Sequence, residues 1–157
     1  MMDKSLFLSV FDEPRHFGLA GYDDRLVNTE LASHVRFVLV DVIAVTQFSN
    51  ERILAWTLRR NSWMYSSNQW RSDLNGIRFV KSDQDELCEA MTSALFEVRN
   101  SDYVSRTVEF PIRESHLDAS DSIYKIEGVN FYEYGPTHMF CWWNHSMFGY
   151  LETHWES

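Results

Sequence analysis

The stretch THMFCWWNHSMFGYLETHWES holds His138, Cys141, His145 and His154, residue types that bind transition metals or, as a Cys–His pair, carry out nucleophilic chemistry. The spacing H-x2-C-x3-H-x8-H lacks the two close ligand pairs of a structural zinc site. Geometry counts against a metal as well. If residues 138–143 form a strand, successive side chains alternate between faces, and His138 and Cys141 point apart. On that reading Met139, Cys141 and Trp143 fill one face of the strand, and Phe140 and Trp142 cover the other. Nucleophilic catalysis has no better support. Neither Cys88 nor Cys141 lies in a known family signature, and apolar neighbours raise a thiol pKa. The sequence contains no G-x-S-x-G elbow, no H-E-x-x-H, no G-x-x-x-x-G-K-[ST] and no G-x-G-x-x-G. Carboxylates are so numerous that some glycosidase-like pair can always be drawn, and such a pair therefore carries no information. The sequence gives no reason to expect a cofactor or a metal.

What remains is binding. Residues 79–157 contain five Lys/Arg and fourteen Asp/Glu, whereas residues 1–78 contain nine of each. The whole net charge of −9 therefore belongs to the second half. A negative field repels phosphate backbones and anionic lipid, so direct nucleic-acid or membrane binding is disfavoured and a basic protein partner is favoured. Two groups of acids stand out. Asp85, Glu86, Glu89 and Glu97 lie on an expected helix, where Asp85 and Glu89 are a like-charged i, i+4 pair that costs a few tenths of a kcal/mol unless offset. Glu114, Asp118 and Asp121 lie in an expected loop before the final strands. Trp142 and Trp143 are the candidate aromatic anchors, since tryptophan buries a large area with little loss of side-chain freedom. A one-sided sheet should alternate apolar with polar residues. This strand is bulky on both sides, so it is either covered on both faces or keeps one face for a partner. The first alternative is the stronger.

Several elements must position these groups. Residues 5–11 read as a short strand, 12–24 as a loop with Pro14, Gly18 and Gly21, and 24–33 as a short helix with poor apolar spacing. Residues 34–45 are rich in β-branched side chains and read as a strand. Residues 53–60 place Leu54, Trp56 and Leu58 on one face of an alternating pattern, which suggests the hairpin partner of that strand, with a helix as the alternative. Residues 76–80 form a further strand. Residues 82–98 form the best-specified helix: Ser82 and Asp85 make a capping-box-like start, and Leu87, Met91, Ala94, Leu95 and Val98 make one apolar stripe. Residues 103–112 read as a strand and 113–122 as an acidic loop. Strands at 123–134, 138–143 and 147–153 follow. The fold class expected is α+β: one domain over 1–157, a largely antiparallel sheet with one or two packed helices.

Composition agrees with that reading. The chain has 157 residues, of which 45% are hydrophobic and 15% aromatic, so it buries a substantial core without a staple. Two cysteines do not make a disulfide framework, and an apolar run over 5–11 is too short for a secretory signal or a membrane span, so the expected location is the cytoplasm. A small, acidic, aromatic-rich chain without a catalytic motif has the general profile of a bacterial immunity protein, which neutralises a basic toxin, often a nuclease, by covering its active site. Two alternatives belong to other classes. One is a small enzyme or ligand-binding domain with Trp142, Trp143, His138 and His145 around a pocket. The other is an assembly subunit that uses an exposed aromatic patch. Because the core is expected to suffice alone, the melting temperature should be unchanged by a chelator or a reductant. A drop of several degrees with the chelator would restore the metal reading of His138, Cys141 and His145.

Overall fold

The computed structural model describes residues 1–11, 26–32, 35–41, 48–61, 74–100, 122–129, 138–144 and 147–153. Its elements in chain order are α1 (Lys4–Phe11), β1 (Leu26–Ala32), β2 (Val35–Asp41), α2 (Asn50–Asn61), β3 (Arg78–Lys81), α3 (Gln84–Asn100), β4 (Ile123–Glu127), β5 (His138–Trp143) and β6 (Met147–Thr153). The strands form one six-stranded sheet in the order β1-β2-β6-β5-β4-β3, and every described pairing is antiparallel. Helices and an antiparallel sheet in one chain make this an α+β fold.

Register explains the two-sided bulk of the final strands. Met139 pairs with Glu152, Cys141 with Tyr150, and Trp143 with Phe148, so these six share a face. Phe140 pairs with Leu151 and Trp142 with Gly149 on the opposite face. Both faces are covered. On the first, Phe7, Val10 and Phe11 of α1 and Ile53, Leu54 and Leu58 of α2 join Tyr124, Met139, Cys141, Phe148 and Tyr150 in one buried cluster. On the second, Glu86 of α3 reaches Lys125, the register partner of Phe140, and α3 brings buried Leu87 and Met91 to the side that carries Ile123, Phe140, Trp142 and Leu151. The sheet is therefore the middle layer of three, with β5 and β6 at its centre. Turn chemistry fits: Asn144 accepts the Met147 N–H through Oδ1 at 2.8 Å and donates its own N–H to the Met147 carbonyl at 2.9 Å.

Three segments differ from the sequence expectation. Residues 5–11 are helical, not extended. Asp3 caps them by accepting the Leu6 N–H at 3.0 Å, and Phe7, Val10 and Phe11 then fall on one side at i, i+3 and i+4. Residues 53–60 are the core of helix α2, not a hairpin strand. Ser49 Oγ accepts the Arg52 N–H at 3.2 Å, and all residues from Ile53 to Leu58 are buried. A run of six consecutive buried residues satisfies a two-residue alternation as well as a helical one, which is why the pattern misleads. Thr57 is accommodated because its hydroxyl donates back to the Ile53 carbonyl at 2.8 Å. Residues 26–32 form strand β1, not a helix, because pairing with β2 outweighs local propensity. Boundaries shift elsewhere. The strand expected at 76–80 spans Arg78–Lys81, and the strand expected at 123–134 is described only as far as Glu127. There Gly128 takes φ 77°, and a Cβ would collide with the Gly76 carbonyl. The expected strand at 103–112 lies outside the described residues.

A second close packing constraint joins β5 to β6. Gly149 is buried opposite Trp142, and the indole of Trp142 occupies the place a Cβ at 149 would need. Gly149→Ala is expected to cost about 1–3 kcal/mol by urea denaturation, as overpacked cores do. A Trp142→Leu/Gly149→Ala double variant should lose less than the sum of the two single costs. A neutral Gly149→Ala would contradict this packing.

Candidate functional site

One end of the sheet gathers the described residues best suited to binding. The last residues of β3 and β5 meet the first of β4 there, since Ser82 N–H donates to the Ile123 carbonyl at 2.9 Å and Trp143 N–H donates to the Ser122 carbonyl at 3.1 Å. Helix α3 starts at the same end. Asp83 is its N-cap, with Oδ1 accepting the Glu86 N–H at 2.8 Å, so the cap lies one residue beyond the Ser82 expected from sequence. Ser82 instead donates its hydroxyl to Glu86 Oε2, and Lys125 forms an ion pair with the other oxygen of that carboxylate.

The acid candidates therefore divide. Asp85 and Glu89 are exposed on α3, and Asp83 is exposed beside them. Glu86 is committed within the fold. Hydrogen bonds from Lys125 and then Ser82 hold its carboxyl below the usual carboxylate range, and the same contact raises the Lys125 ammonium. The stability this lends is present above the ordinary glutamate pKa and fades as pH falls through the lowered one. Because both side chains are about a third exposed, it amounts to less than about 1 kcal/mol. Glu97 lies on α3, but its side chain is outside the described residues, as are Glu114, Asp118 and Asp121. Sequence reasoning missed Asp83. The signal was present, because an Asp three residues before a Glu at the head of an apolar stripe marks an N-cap.

The two tryptophan candidates part company. Trp142 is fully buried on the α3 face and is not available as an anchor in this fold. Trp143 is half-buried on the opposite face, at the rim where α3 begins. It stacks between Tyr124, with ring centroids 5.5 Å apart at 15°, and Phe148, 6.3 Å apart at 4°. His138 is exposed and shares the Trp142 side of β5, so His138, Trp142 and Trp143 do not line a common pocket. His145 is outside the described residues.

A second group is internal. Glu152 is fully buried and accepts the Tyr150 hydroxyl at 2.7 Å through Oε1. Its register partner on β2 is Arg36, which in turn pairs with Glu30 on β1, so Glu, Arg and Glu occupy one row across three strands. On the same face Cys141 is paired with Tyr150, and Glu51 of α2 accepts the Asp3 N–H at 2.8 Å, tying α1 to α2. Complete burial, reinforced by the negative charge of Glu51, pushes the Cys141 thiol far above its ordinary pKa. Among the described residues no three His, Cys, Asp or Glu are grouped to hold a metal ion, and no helix is long and apolar enough to cross a membrane. No protein-family model, curated protein or solved structure matches the chain.

A thiol in this state is not a nucleophile near neutral pH. In a Cys88→Ser variant, iodoacetamide at pH 8 should leave Cys141 unlabelled in the native protein and label it in denaturant. Native labelling at the rate of a free thiol would overturn the assignment of Cys141 to the core.

Proposed function

We propose that this chain is an acidic inhibitor that binds a basic protein and covers its active cleft, as a bacterial immunity protein does with its cognate toxin, a nuclease being the natural target. The observation that supports it most is the charge: the acidic half of the sequence supplies Asp83, exposed at the N-cap of α3, and Asp85 and Glu89, exposed on α3, which starts at the sheet end where half-buried Trp143 sits. Glu114, Asp118 and Asp121 precede Ser122 in the sequence and lie outside the described residues. The i, i+4 repulsion between Asp85 and Glu89 is relieved when a cationic surface docks on them. Acids speed the encounter through their field, and an aromatic anchor slows departure.

Only one of the two tryptophans singled out by the sequence remains as an anchor. Trp142 belongs to the core, so Trp143 is the remaining described tryptophan candidate. The partner is first isolated by pull-down from native lysate and identified by mass. Association measured by surface plasmon resonance should then slow as salt rises, because exposed charges are screened over about 8 Å at physiological ionic strength. Dissociation should change little. Asp85→Asn and Glu89→Gln should lower the on-rate, whereas Trp143→Ala should raise the off-rate, with a hot-spot cost of about 2–4 kcal/mol. Trp143 also stacks in the fold, so a melting curve accompanies that variant. An on-rate indifferent to salt would remove the electrostatic part of the proposal. Turnover of a small substrate in the absence of any protein partner would remove the rest.

A further inference from the structure

We draw no further inference here: the strongest candidate, the buried polar cluster of Glu51, Cys141, Tyr150 and Glu152 on the sheet face beneath α1 and α2, is held by contacts internal to the fold, and nothing in the structure shows a ligand that would reach it.

Discussion

A strand whose side chains are bulky on both sides is stable only where both faces of its sheet are covered, and β5 imposes that condition on everything around it. Its sequence HMFCWW alternates nothing polar between His138 and Trp143. Burying Phe140 and Trp142 on one side and Met139 and Cys141 on the other requires a three-layer arrangement with β5 away from the edges. The edge strands fit the same logic. β3 has three exposed residues of four, and at its far end Arg78 meets Glu127 of β4 at 3.5 Å. Charge on a short edge strand discourages further pairing. Gly149 is the concession that lets the Trp142 indole pack against the β6 backbone.

The same arrangement decides which charges are free to act. Of the acids in the second half, Glu152 is consumed by the core, Glu86 is bound to Lys125 and Ser82, and Glu127 faces Arg78. What is left exposed on the described surface is Asp83, Asp85 and Glu89. Two of these lie at the opening of α3, where the helix dipole favours negative charge, so their placement has a local stabilising reason as well as a functional one. A net charge says how strongly a protein repels or attracts. The fold says from where, and here the described answer is one helix at one end of the sheet.

Much of this architecture is legible in the sequence where a single periodicity is present. Strands β5 and β6 have the bounds expected of them, α3 lies within two residues of expectation, and β2 starts one residue after the expected strand, whose last four residues lie outside the described ones. The failures are physical, not random. Residues 53–58 of α2 are an unbroken buried run, so their order in sequence does not distinguish helix from strand. The helix signal lay instead in Ser49, whose side chain caps the first turn. In α1 the consecutive apolar residues mask the i, i+3, i+4 contacts that bury Phe7, Val10 and Phe11. β1 is a strand through its partner more than through its own residues. The site was legible as a charge imbalance but not as a surface. That Trp142 is core while its neighbour Trp143 is half-buried at the rim depends on pairing with β6, which no local pattern reveals.

Amide hydrogen exchange, read residue by residue, tests most directly the claim that the aromatic segment is the centre of the fold. Protection grows with the depth of an element in the cooperative core. The account predicts that amides of Phe140, Cys141, Trp142 and Tyr150 exchange only through global unfolding, more slowly than those of the edge strands β1 and β3. Fast exchange across β5, with β1 or β3 the more protected, would contradict it and return Trp142 to the surface.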